Sequence, residues 1–153
     1  MKKTLLLAEK MANELLSLMG TKAQVKASED KKNEAVRIDI ETEEETGLLI
    51  GRHGETIEAI QSILGMMLKK KTGDWVRIIV DVGGWREKQE ERLRDLATQT
   101  AERAKETGEG QPLYNLSPAQ RRVIHIALAD NPDIETESAG EDEERYLIIR
   151  PKK

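Results

Sequence analysis

Residues 46–63 read TGLLIGRHGETIEAIQSI. Apolar Leu48, Leu49 and Ile50 break into Gly51-Arg52-His53-Gly54, after which Ile57, Ile60 and Ile63/Leu64 recur at helical spacing. Two glycines thus bracket an arginine and one of the chain's two histidines at the mouth of a helix. A helix N-terminus exposes unpaired backbone N–H groups and the positive end of the helix dipole. Glycine lets another backbone approach where a Cβ would collide. Such a turn can lie against a phosphodiester chain, with Arg52 a fixed cation and His53 a partial cation or a neutral donor. A G-x-x-G is also a common plain turn, so its weight depends on the neighbouring elements.

Upstream, Leu5, Ala8, Ala12, Leu15, Leu16 and Met19 share one helical face over residues 4–19, which Gly20 ends. Ala23, Val25 and Ala27 form a weak strand, and SEDKKNE reads as a hairpin turn or loop. Val36, Ile38 and Ile40 alternate with charged residues as a half-buried strand. A short helix covers 44–50. The helix after the turn ends at Lys69-Lys70-Lys71 and Gly73, and Val76, Ile78, Val80 and Val82 make a clear strand. The order is helix, strand, strand, helix, helix, strand.

Downstream of Gly83-Gly84 a long helix runs from Trp85 to about Lys105. Its first half is polar on every side and is expected to project into solvent, while its second half buries Leu93, Leu96/Ala97, Ala101 and Ala104. KETGEGQP has the composition of a hinge. Ser117-Pro118-Ala119-Gln120 is a helix start: Ser caps, Pro takes the first helical position and Gln reaches back. That helix turns Val123, Ile124, Ala127 and Leu128 inward. Two short strands, Ile134–Ser138 and Tyr146–Arg150, enclose the loop AGEDEE.

This last helix carries RRVIH, which places Arg121 and His125 one above the other on a single face. Together they can donate to one phosphate, the Arg bidentately. His125 could equally be a core histidine with a satisfied hydrogen bond.

GLLIGRHGETIEAIQSILGMML followed by DVGGWREKQEERL resembles the KH region of the bacterial Jag-type (SpoIIIJ-associated) proteins. These join a KH domain, whose GXXG loop clamps single-stranded backbone, to a C-terminal Arg-xxx-His domain. The resemblance runs from about residue 35 to the end. It implies a role for Arg121 and His125 in binding single-stranded nucleic acid. Thr136-Glu137-Ser138-Ala139-Gly140 resembles the family's T-x-S-x-G strand and turn, and Arg145 and Arg150 follow in the closing strand. Two positions depart from the pattern. Trp85 stands where the family usually has Tyr, and Gln89 replaces a second arginine, removing a cation from the start of the long helix. The resemblance also implies pairing with a small KH protein.

Composition narrows the remaining classes. At 153 residues the chain suffices for one ordinary domain or two small ones. It has no cysteine, which removes disulfide and thiolate chemistry. Glu9 and Lys10 interrupt the apolar start, so it reads as an amphipathic helix rather than a signal peptide, and a cytoplasmic protein is expected. Net charge is −4, so contact with a polyanion must come from a local patch. Four aromatics are too few for a sheet that reads single strands through several exposed rings. Lys69–Lys71 suit a helix C-terminus without any ligand, GEDEE reads as a solvated loop, and no G-x-S-x-G, P-loop or H-E-x-x-H is present.

The expectation is therefore an α+β protein. A KH domain over residues 1–83 is joined to a small α/β Arg-xxx-His domain over 84–153 that includes the long leading helix. The expected function is binding of single-stranded RNA, with single-stranded DNA as the alternative ligand and regulation of transcripts as the purpose. Gly51 and Gly54 admit the backbone, Arg52 and His53 touch phosphate or sugar, and Ile50, Ile57 and Ile60 belong to the groove floor or the core behind it. Arg121 and His125 make a second phosphate contact, helped by Arg122 and Arg145. No catalytic residue, cofactor or metal is expected. The competing readings are an adaptor that pairs through its KH domain with another protein or with itself and, less favoured, a nucleotide-using or nuclease enzyme.

Overall fold

Ala8, Met11, Ala12 and Leu16 recur at helical spacing and are the buried face of α1 (Lys2–Leu18). The computed structural model describes all residues from Met1 to Lys153. After Gly20, β1 (Gln24–Asp30) and β2 (Ala35–Glu41) form an antiparallel hairpin. Val36, Ile38 and Ile40 of β2 have no exposed surface. Ser28-Glu29-Asp30, expected in the turn, belongs to β1, because Glu29 and Asp30 pair with Val36 and Ala35. An edge strand is held by its ladder and keeps polar side chains in solvent, so hydropathy hides its length. The turn proper is residues 31–34, clamped by Asp30, whose carboxylate accepts from the backbone and side-chain amides of Asn33.

α2 (Thr46–Ile50) and α3 (Glu55–Thr72) flank the glycine turn. α3 buries Ile57, Ile60, Leu64 and Leu68 against the sheet and α1. β3 (Ile78–Val82) runs parallel to β2 in the order β1-β2-β3. Val76 falls outside it, because Val36, near the start of β2, already pairs with Ile78. The partly buried Val76 side chain still packs on the core.

β3 is an edge strand, and two side chains close its open side at Val80. The Val80 N–H donates to Oε1 of Gln61 at 2.9 Å, and Nε of Arg86 donates to the Val80 carbonyl at 2.6 Å. Asp81, 3% exposed, accepts from the N–H groups of Val82 and Arg86 and from the Arg37 guanidinium. Burial pulls the Arg86 guanidinium below its usual range, against the pull of Asp81. The start of α4 (Trp85–Thr107) is thus anchored rather than projecting: Trp85 packs on the first core and Arg86 is bonded to Val80 and Gln61. Beyond them Glu87 and Lys88 are exposed and Gln89 is half-buried.

The chain divides into two compact units, Met1–Arg86 and Glu87–Lys153. In the second, Leu93, Ala97, Thr100, Ala101 and Ala104 of α4 are buried, while Leu96 stays 36% exposed. KETGEGQP is no boundary between units. Its first three residues finish α4, Gly108 donates its N–H to the Ala104 carbonyl, and Gln111 opens β4 (Gln111–Leu113). β4 is absent from the sequence reading, since three residues including a proline show no periodicity. It pairs with β6 (Tyr146–Pro151), which also pairs with β5 (Ile134–Ala139), giving an antiparallel sheet in the order β4-β6-β5.

α5 (Pro118–Leu128) starts with the full reciprocal cap. Ser117 Oγ accepts from Gln120 N–H, and Gln120 Oε1 accepts from Ser117 N–H. Ile124 and Leu128 are buried and Val123 packs beside them, but Ala127 is exposed, at the rim of an apolar face narrower than expected. No helix is long and apolar enough to cross a membrane.

Candidate nucleic-acid interface

In the first unit the chain leaves α2 at Gly51, passes a tight turn over Arg52–Gly54 and enters α3. Gly51 has φ +73° and ψ −177°, a combination essentially confined to glycine. Gly54 has φ +81°. The expectation that both glycines make room for an incoming strand needs correction. A Cβ on Gly51 would stand 2.1 Å from Oγ1 of Thr56, and one on Gly54 would stand 2.4 Å from Cη2 of Trp85. The protein's own side chains fill those directions. Gly54 is buried beneath the indole.

Arg52 and His53 are both exposed and neither is held in an ion pair. His53 adopts the left-handed conformation at φ +55°, in which a non-glycine residue is strained. No side chain caps the N-terminus of α3, so its first N–H groups have no side-chain acceptor. Glu55 and Glu58 in the same first turn set two carboxylates beside the site, which weakens its attraction for an anion. Ile57 and Ile60 lie in the core behind the turn; Ile57 has no exposed surface and offers a strand nothing to touch. Ile50 is half-buried. The apolar surface open beside the turn is Leu48, 63% exposed, which the sequence pattern does not single out.

In the second unit α5 and the sheet bring together residues that are far apart in sequence. Arg121, Arg122, His125, Thr136, Ser138 and Arg145 line one shallow depression, with Pro118 and Leu147 completing it. No carboxylate is among them. His125 is exposed rather than a core histidine, and its Nδ1 is hydrogen-bonded to the Thr136 hydroxyl. With that hydroxyl donating, the neutral ring carries its proton on Nε2, its remaining donor. Arg121 is half-buried, and one arm of its fork already donates to the Leu116 carbonyl at 2.7 Å. It is therefore fixed in place but not free to grip a phosphate with the whole fork. Arg122 and Arg145 are exposed. Arg150 takes no part: it is on the other side of β6, bonded to Glu137 at 2.7 Å.

The two units match two family models in turn. Residues 6–81 match the model described as KhpA/KhpB, KH domain, and residues 91–151 match that of the R-three-H domain, the Arg-xxx-His domain. The chain belongs to the Jag-type family that joins these two domains. It is similar to the RNA-binding protein KhpB of Clostridium symbiosum, 33% identical over 110 residues that make up 72% of this chain and 50% of that one. The RNA-binding protein KhpB of Bacillus subtilis is 34% identical over 134 residues, covering 86% of this chain and 63% of the relative. That of Lactiplantibacillus plantarum is 34% identical over 107 residues, 70% and 33% of the two chains. The chain thus spans between a third and two thirds of these relatives' length. Arg121 and His125, spaced as Arg-xxx-His within the second matched range, both line the depression. Lys69, at the far end of the KH helix from the glycine turn, lies with its ammonium 4.4 Å above the Trp75 ring.

Proposed function

We propose that the chain binds single-stranded RNA by its backbone, through the GRHG turn of the KH domain and the depression on α5 of the Arg-xxx-His domain. The observation that carries this reading is the depression. A chain of net charge −4 gathers three arginines, a histidine and two hydroxyls there and keeps every carboxylate out. Such a donor-only surface suits phosphate oxygens. Arg121 and His125 are pre-oriented by Leu116 and Thr136, Arg122 and Arg145 supply exposed charge, and Thr136 and Ser138 offer hydroxyls. The names of the relatives support RNA as the ligand. A division into a KH domain and an Arg-xxx-His domain is supported by the two compact units and the two matched ranges, with Trp85 and Arg86 falling in the first unit rather than in a second domain over 84–153.

The test is retention of a labelled single-stranded RNA. Arg121→Ala weakens binding and leaves the melting temperature near the parent's. Arg52→Asp with His53→Asp abolishes the KH contribution without unfolding, because both side chains are exposed. RNA binding that survives all three changes contradicts the reading.

A second reading, pairing of the KH domain with another protein or a second copy, is favoured by one surface. Ile63, Met66 and Trp75 are all exposed around the outer face of α3. Its test is recovery of a partner on pulldown after nuclease treatment, together with the mass of the chain in solution.

A further inference from the structure

The sheet of the Arg-xxx-His unit has a second face. Along β6, Leu147 and Ile149 are buried, so Tyr146, Ile148 and Arg150 alternate to the opposite side. There the Tyr114 ring lies 5.1 Å from the Tyr146 ring, tilted by 39°, and Tyr114 is 60% exposed. An exposed ring steadied by a neighbour is a pre-ordered flat surface. Pro112 and Ile148 extend the apolar floor, and Lys152 and Lys153 rim it. Lys152 is tethered by its N–H to the Asp133 carbonyl at 2.8 Å. Arg150 is neutralised by Glu137 and Glu135, at 2.7 and 4.0 Å, so the two lysines are the unpaired cations.

We propose that this face is a base-stacking platform, on which Tyr114 takes an unstacked nucleobase of a strand whose phosphates are held by Lys152 and Lys153. The proposal rests on the RNA-binding reading and adds a site to it. One feature selects a nucleic-acid strand as occupant. An exposed aromatic face beside two unpaired lysines matches a base with its phosphate. A proline-rich peptide would suit the tyrosines and Pro112 but leaves the lysine rim without a role.

The test uses the full chain and a short fluorescein-labelled single-stranded RNA of mixed sequence, alongside the same strand made abasic. On the base-bearing strand, Tyr114→Ala and Tyr114→Leu each weaken binding by at least about fivefold, and Tyr114→Phe stays within about twofold of the parent. The slope of affinity against salt stays unchanged in Tyr114→Ala, since no cation is lost, while Lys152→Gln lowers it by about 0.7. On the abasic strand Tyr114→Ala binds as the parent does. If Tyr114→Ala binds the base-bearing strand like the parent, or loses as much on the abasic one, the platform is wrong while RNA binding at the arginines stands. A Tyr114→Ala loss confined to a proline-rich peptide probe also overturns it, in favour of protein docking. If the parent binds neither strand, the functional reading fails and takes this inference with it.

Discussion

Gly54 is a glycine for two reasons that can be measured apart. Its φ of +81° penalises any side chain, and the Trp85 ring occupies the place a Cβ would take. Gly73, at φ +83°, has nothing within 4 Å of that place. Gly73→Ala is therefore expected to cost about 1–2 kcal/mol, the left-handed penalty alone. Gly54→Ala adds an overpacking term of about 1–3 kcal/mol. Urea midpoints of the two variants check this, and equal losses would show that the indole contact contributes nothing. His53 gives the converse case. His53→Gly relieves a strained residue at φ +55° and is expected to hold or raise the melting temperature while weakening RNA binding, which separates stability from function at one position. The glycines, the arginine and the histidine were legible as a turn from residues 46–63 alone. What fills the space behind the turn was not, because Trp85 lies some thirty positions away and only the folded chain brings it there. Ile57 was ambiguous for a similar reason: helical spacing identifies an inward face but not whether a groove cuts into it.

At the scale of elements, the sequence was most readable where local chemistry decides. The Ser117–Gln120 reciprocal cap, read from four letters, is present with both of its bonds. Ser117→Ala is expected to cost about 1 kcal/mol, seen as a lower melting temperature of the Arg-xxx-His unit. β4 and the second half of β1 were unreadable, because pairing with a neighbour defines them and apolar alternation does not. The edge of β3 was hidden in the same way. Nothing in Gln61 or Arg86 announces that they close an open strand. Arg86→Ala strips a donor from the Val80 carbonyl and leaves Gln61 with one partner fewer. The expected loss is about 1–3 kcal/mol in the KH unit, read from its denaturation midpoint. A loss below a few tenths would mean that water replaces the guanidinium at no penalty. At α5, the i, i+4 spacing of Arg121 and His125 was visible in sequence. That Thr136 would orient the ring and Leu116 would hold one arm of the arginine was not, because both partners belong to neighbouring segments that the periodicity of α5 does not report.

Across the whole molecule, charge is the feature that has to be reconciled with function. The chain carries 29 acidic and 25 basic side chains, yet no acid lines the depression that holds Arg121 and His125. Long-range attraction to a polyanion is accordingly weak, and recognition must be short-range: a few donors set in place, each meeting one phosphate. The fold class was legible because each unit announces itself by a helix-borne motif. The convergence of Arg145 with Arg121 and Arg122 was not, because it depends on how the β5–β6 hairpin lies against α5. The measurement that bears most directly on this account is the affinity for a single-stranded RNA as a function of salt, for the parent, Arg121→Ala and Arg145→Ala. Few contacts predict a shallow parent slope, between about −2 and −4, and a reduction of about 0.7 for each arginine removed. An affinity and slope that are the same in all three proteins would contradict it.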